Sequence, residues 1–153
     1  MKTSPPIPLA PLALGLAGLL PFIWGALTVL VPDLADWARA ALSPRMAGQY
    51  VLAAYGIVIL SFMSGVLWGF AARAEGRLAA RGFALSVLPA LWAFFMVGGG
   101  PEAALSALMV GFVGVFVLDV QFARWGLVPP WWLRLRLVLT TVVLLCLLAG
   151  LYG

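Results

Sequence analysis

Few residues in this sequence could do chemistry, and Asp119 is the most informative of them. It is the acid that lies embedded in an apolar segment, where an ionised carboxylate is costly unless it is paired. We therefore expect a basic partner, either Arg124 or one of Arg134 and Arg136 in the following segment. Such a pair would tie the fourth helix to the last one. The alternative is a proton or cation site, although no histidine or second carboxylate stands beside Asp119 to extend a relay.

The other reactive side chains are scarce. The single cysteine, Cys146, lies in an apolar run, which excludes an intrachain disulfide and a thiolate metal cluster. The sequence has no histidine, so the usual haem ligand, zinc ligand and proton shuttle are missing. No nucleophile elbow or phosphate-binding loop is present either. These observations predict a protein that is not an enzyme and that binds no metal or cofactor.

The composition indicates a membrane protein. Of the 153 residues, 65% are hydrophobic and 9% are charged, which is outside the range of soluble domains. The net charge of +4 comes from basic residues that lie between apolar runs, where they orient helices and do not form a phosphate-binding surface. We expect membrane lipids and other membrane proteins as partners, and no nucleic acid. The sequence leaves a homo-oligomer open.

The apolar runs predict an all-α, polytopic domain over residues 1–153 with five transmembrane helices. At about 1.5 Å per residue, a helix needs about 20 residues to cross a hydrocarbon core of about 30 Å. The predicted helices cover about residues 12–31, 46–72, 83–97, 102–123 and 132–152. The first run is longer than the apolar part of a signal peptide, so we expect a retained helix. Pro21 and Pro89 are expected to kink the first and third helices.

The second helix carries small residues at every fourth position, and the remaining helices are expected to arrange around it. Ser61, Gly65 and Gly69 share one face, where another backbone can approach closely. We predict that this face packs against Ala107 and Gly111 of the fourth helix. The alternative is that the two glycines leave space for a bound lipid, quinone or other flat lipophile.

Basic residues predict the orientation. A five-span topology places most of them on one side of the membrane, which is the cytoplasmic side by the positive-inside rule. The N-terminus is therefore expected in the cytoplasm and the C-terminus outside. The residues grouped on the cytoplasmic side are Lys2, Arg73, Arg77, Arg81, Arg124, Arg134 and Arg136, against Arg39 and Arg45 on the other side. Between the first two helices, a segment around Trp37 is expected to lie at the interface as a short amphipathic turn.

An ordered set of short motifs resembles a family. The motifs are Tyr55-Gly56, Ile59 to Phe62, Gly65, Trp68-Gly69, Leu88-Pro89, Asp119, Pro130 to Arg136 and Leu139-Thr140. Together they resemble a domain-of-unknown-function family of small multi-span inner-membrane proteins, related to the mitochondrial transmembrane protein sixty-nine. The family pattern has a histidine before the Trp-Gly pair, where this chain has Leu67, so no imidazole role carries over. The resemblance implies a bacterial or mitochondrial inner membrane and no established activity.

Two functions remain in contention. The first is a non-enzymatic accessory subunit or assembly factor of a larger membrane complex in the bacterial inner membrane, which suits a chain rich in packing faces and poor in reactive groups. The alternative is a small lipophile-binding or transport protein, whose site would lie near Asp119 and Trp68 and be shaped by the two proline kinks.

Overall fold

The computed structural model of the protein describes residues 5–153, which form α-helices and one short 3-10 turn, without any β-strand in that range. The helices are α1 (Leu9–Ala17), α2 (Leu20–Leu30), α3 (Pro32–Ala41), α4 (Gly48–Ala71), α5 (Gly76–Ser86), α6 (Leu88–Met96), α7 (Pro101–Arg124) and α8 (Trp132–Tyr152). Five segments are long and apolar enough to cross a membrane: Leu9–Leu30, Gly48–Ala71, Gly76–Met96, Pro101–Arg124 and Trp132–Tyr152. The prediction of an all-helical chain with five candidate spans is confirmed.

The third span is longer than the sequence predicted. A helix was expected from residue 83, after a charged loop, whereas α5 begins at Gly76 and includes Arg77 and Arg81 in its first turns. Gly76 has φ +56°, a conformation that glycine adopts without steric cost, and this lets the chain reverse directly before the helix. Both arginines are exposed, so their charged ends can stay in a polar environment while their backbone is helical.

Both proline kinks are present as breaks between helices. The first span is interrupted between α1 and α2, just before Pro21, and the third is interrupted at Val87, just before Pro89. A proline has no N–H to donate to the preceding turn, so carbonyl groups become free at each break. At the second break, the hydroxyl of Ser64 on α4 donates to the carbonyl of Ser86. A side chain from a neighbouring helix thus satisfies part of the broken backbone.

Helix α4 is central to the bundle and packs against α2, α5, α6, α7 and α8. Its buried face carries Leu52, Leu60 and Leu67, each with 0% of its surface exposed. The spacing of these leucines corresponds to about two turns of helix, so they form one stripe along α4. Phe112 of α7, Leu147 of α8 and Phe22 of α2 belong to the same apolar core.

The predicted pairing of α4 with α7 is present, but the face predicted on α4 is wrong. A Cβ atom placed on Gly65 or Gly69 would have no atom within 4 Å, and both glycines are exposed. On the packed face, a Cβ on Gly56 would lie 2.7 Å from Leu108 Cδ1. Gly56 and Ser64 lie on this packed face eight residues apart, with Leu60 midway between them. The other helices pack against the face of α4 that carries Leu52, Leu60 and Leu67, because these leucines supply apolar surface to bury.

The α7 side of that prediction is correct. Gly111 is buried, and a Cβ there would lie 2.5 Å from Leu60 Cδ2 and 2.9 Å from Trp92 Cδ1. Ala107 is next to the same contact, since its carbonyl accepts a hydrogen bond from Trp92 Nε1 at 2.7 Å. Gly111 therefore lets helices α4, α6 and α7 meet closely.

The segment between the first two spans forms α3, a full amphipathic helix where a short turn was predicted. Trp37 lies on its exposed face and packs edge-on against Trp24 of α2, with 6.4 Å between ring centroids. Ala35 and Ala38 form the buried face. This arrangement is typical of a helix at the membrane interface. Lys2, which contributed to the predicted orientation, lies outside the described residues.

Candidate functional site

The strongest polar feature inside the bundle is an ion pair between α7 and α8. Arg136 Nε donates to Asp119 Oδ2 at 2.8 Å, and the side chains are 5% and 0% exposed. Trp132 Nε1 donates to the other carboxylate oxygen, Oδ1, at 2.7 Å. Both oxygens of Asp119 therefore have a donor, which is the condition under which a carboxylate can be held away from water.

The local sequence explains how α8 is brought back to Asp119. Helix α7 ends in a Schellman motif, in which Gly126 N–H donates to Ala123 O at 2.9 Å and Leu127 N–H donates to Phe122 O at 3.0 Å. Gly126 has φ +72°, as the motif requires, and Leu127 and Phe122 are both buried in the core. The chain then reverses through two prolines into α8.

Helix periodicity places the two donors on one side of α8. Trp132 and Arg136 are four residues apart, so both face α7, and Thr140 continues the same stripe one turn later. All three carry a polar group on this side of α8, whereas Arg134 and Thr141 of the same helix are exposed. The contact of Trp132 with Asp119 was not predicted from the sequence, and this i, i+4, i+8 polar stripe is the signal that could have revealed it.

Of the three arginines predicted as partners of Asp119, one forms an ion pair with it in the structure. Arg136 makes the pair, whereas Arg124 is exposed at the end of α7. Arg134 is also exposed and donates to the carbonyl of Pro5 at the N-terminal end of the described chain. The prediction of a buried ion pair tying the fourth span to the last is thus correct, with Arg136 as its basic member.

Trp68 does not share this site. Its side chain is 51% exposed and packs at a tilt against Phe83 of α5, with 4.6 Å between ring centroids. The aromatic residue of α4 that packs on Trp132 is Phe70, at 5.1 Å. Residues two apart on a helix point to opposite sides, so Trp68 faces away from the ion pair. The predicted ligand site shared by Asp119 and Trp68 is therefore wrong.

Two cavities adjoin Arg136. One, of about 130 Å³, lies between α1, α2, α4, α7 and α8, and Arg136 and Thr140 line it. The other is a groove of about 450 Å³, whose wall includes Arg136, Phe70, Trp131 and Trp132. A third groove of about 550 Å³ lies between α6 and α7, around Pro89 and Gly111, and its lining is apolar apart from the indole of Trp92.

The five apolar spans and the ion pair held between two of them define a multi-pass integral membrane protein. Residues 7–152 match the family described as Protein of unknown function (DUF3429), and the chain belongs to that family. It is also 31% identical to Transmembrane protein 69 of Xenopus tropicalis, in an alignment that covers 99% of this chain and 57% of the relative. No solved structure shows a significant match.

Proposed function

We propose that the protein is a non-enzymatic accessory subunit or assembly factor of a larger membrane complex, located in the bacterial inner membrane. In this proposal the N-terminus lies in the cytoplasm and the C-terminus outside. The protein acts by presenting one face of α4 to a transmembrane helix of its partner. That face consists of Val58, Phe62, Gly65 and Gly69 and is called the open face below.

The observation that supports the proposal is that no other helix of the described bundle covers Gly65 and Gly69. Within residues 5–153, no atom of another helix lies within 4 Å of a Cβ placed on either glycine. Phe62 is 64% exposed and Val58 is 59% exposed, so the open face combines two projecting side chains with a flat stretch of backbone. Small residues four apart are the pattern on which transmembrane helices associate, because lipid gives little hydrophobic force between them and close backbone contact is needed.

The open face contrasts with the rest of α4. Leu60, Ser64 and Leu67 are buried against other helices of the same chain. One side of α4 is thus packed against other helices of its own bundle. On the other side, the glycines have no side chains with which lipid could make contact. A partner helix would gain van der Waals contacts that fluid acyl chains make poorly.

The test is site-specific photo-crosslinking in intact inner membranes. A photoreactive residue replaces Gly69 in one variant and Val117 in the control; Val117 is also exposed, at 60%, but lies on α7. We expect a discrete protein adduct from position 69 that is absent from position 117 and is lost when Gly65→Leu is added.

The size of the adduct separates the outcomes. A product larger than two copies of this chain supports an accessory or assembly role. A product of two copies supports a homo-oligomer and contradicts the accessory role. If positions 69 and 117 give the same pattern, or if only lipid adducts form at position 69, the open face is a lipid-facing surface and the proposal is wrong.

A further inference from the structure

We propose that the cavity and groove beside Arg136 form a binding site for an uncharged lipophile with a flat ring and a carbonyl oxygen, of the quinone class. The carbonyl would accept hydrogen bonds from Arg136 Nη2 and Thr140 Oγ1. This site shares Phe62 with the open face of α4, but its donors lie on α8, and the proposal does not depend on the accessory role.

The two donors are the first observation. Within residues 5–153, Arg136 Nη2 and Thr140 Oγ1 are the buried side-chain polar atoms that have no hydrogen-bond partner. Arg136 is 4% exposed and Thr140 is 6% exposed. An unsatisfied buried donor destabilises the folded state, and a charged one does so more strongly. Other buried hydroxyls in the bundle are satisfied, as those of Thr28 and Ser64 show.

The space in front of these donors is the second observation. Arg136 and Thr140 line the cavity of about 130 Å³, close to the size of an apolar cavity of about 150 Å³ that holds one benzene ring. Arg136 also lines the adjoining groove of about 450 Å³. The two spaces share Leu14, Gly15, Phe62, Met63, Arg136 and Leu139 in their walls. A ring in the smaller space could therefore extend its substituents into the larger one.

The electrostatics of the site favour an uncharged ligand. Asp119 already neutralises Arg136, with 2.8 Å between Oδ2 and Nε. An anionic group at Nη2 would lie near that carboxylate in a poorly polarisable environment, where repulsion between like charges is strong. A neutral carbonyl accepts the free N–H without adding charge. It can also accept the Thr140 hydroxyl, because an sp² oxygen has two lone pairs.

The shape of the site favours a ring over an acyl ester. The aromatic side chains of Phe62, Phe70, Trp131 and Trp132 line the groove. Aromatic side chains make favourable offset or edge contacts with a flat ring. An ester carbonyl of a glycerolipid is attached to a branched backbone with long chains, which a space of about 130 Å³ does not hold. Leu14 and Phe62 are 74% and 64% exposed, so a hydrocarbon tail can leave between them into lipid.

The experiment titrates the delipidated full chain in detergent with a decyl-substituted benzoquinone and follows occupancy by native mass spectrometry. Thr140→Val keeps the side-chain volume and removes one donor, and we expect it to weaken binding by about 3- to 10-fold, as the loss of one hydrogen bond does. Thr141→Val is the matched control: that hydroxyl is exposed and already donates to Leu137 O at 2.8 Å. Its affinity should equal that of the unmodified chain.

A second variant keeps the test decisive. Replacing both members of the ion pair, with Asp119→Leu and Arg136→Met, removes the charged donor without leaving an unpaired charge, and binding should be lost. Dioctanoylglycerol, which carries ester carbonyls and no ring, should not displace the quinone. Equal affinities of the Thr140→Val and Thr141→Val variants would overturn the proposal. Displacement of the quinone by dioctanoylglycerol would overturn it as well. The same holds if the unmodified chain binds no quinone and its site retains only water.

Discussion

The buried ion pair between Asp119 and Arg136 makes a quantitative prediction about stability. Removing either member alone should destabilise the protein strongly, whereas replacing both with apolar residues of similar size should change stability little. The single variants are Asp119→Leu and Arg136→Met, and the double variant combines them. The contrast follows from burial: the two side chains are 0% and 5% exposed, so a charge left alone has no access to water.

Two independent estimates give the size of the effect. Breaking a buried pair by removing one partner costs about 3–5 kcal/mol in the free energy of unfolding. On insertion scales an arginine costs about 2.5–3.5 kcal/mol at the centre of a membrane-spanning helix, which is an upper bound for Arg136 because it is the fifth residue of α8. We therefore expect each single variant to lose about 3 kcal/mol or more. The Asp119→Leu variant also leaves Trp132 Nε1 without its acceptor, which adds about 1 kcal/mol.

The chain carries its own reporter for this measurement. Cys146 is the single cysteine in the sequence and is 8% exposed, so a thiol-reactive fluorogenic dye labels it when the bundle opens. For a chain of this size, 1 kcal/mol corresponds to about 2–4 °C in Tm. The single variants should melt roughly 6–20 °C below the unmodified protein, and the double variant within a few degrees of it.

The interaction energy from the double-mutant cycle is the decisive quantity. If the double variant melts as low as the sum of the two singles, the residues are not coupled and the ion pair does not bridge α7 and α8. If neither single variant changes Tm, the pair lies in a watery environment, which contradicts the burial of Asp119. A Cys146→Ser chain, which should give no dye signal, controls for labelling elsewhere.

Three further predictions concern packing, polar satisfaction and orientation. Gly111→Leu should lower stability by about 1–3 kcal/mol, because even a Cβ would lie 2.5 Å from Leu60 Cδ2, whereas Gly65→Leu should leave Tm unchanged; equal shifts would contradict the assigned packing face. Thr28→Val should cost about 1–3 kcal/mol, because Gly48 N–H donates to Thr28 Oγ1 at 2.8 Å and would lose its acceptor; an unchanged Tm would refute this bond. Alkaline phosphatase fused after the fifth span should be active in a bacterial host and inactive when fused after the fourth, since the positive-inside rule places the C-terminus outside; the reverse result would invert the topology.

The span count and the proline breaks were predictable from sequence because they follow from strong local constraints. A backbone in hydrocarbon must satisfy its own hydrogen bonds, so long apolar runs become helices. A proline removes one donor at a known position, so the breaks before Pro21 and Pro89 follow directly. The start of α5 at Gly76 was missed because charged residues were assigned to a loop. Their side chains can reach polar surroundings from within a helix.

The packing face of α4 could not be decided from one sequence. Ser61, Gly65 and Gly69 share one face by their fourfold spacing, and Gly56 and Ser64, eight residues apart, share another face that is buried. Spacing specifies which residues share a face, but the choice between faces depends on where α2, α7 and α8 lie. Leu108 of α7 fills the hollow at Gly56, and that contact involves residues far apart in the chain. The open face is exposed because the other helices pack against a different side of α4.

The candidate site was predictable in its chemistry and not in its geometry. A lone acid in an apolar helix requires a cation, so the pairing of Asp119 with Arg124, Arg134 or Arg136 follows from energetics alone. Which arginine it meets depends on the rotation of α8, and the choice of Arg136 over Arg134 brings Trp132 and Thr140 onto the same side. That rotation also leaves Arg136 Nη2 buried without a hydrogen-bond partner, beside a cavity that Arg136 lines. A residue required for structure thereby retains a free donor for a ligand, so the same guanidinium can serve both the fold and the proposed site.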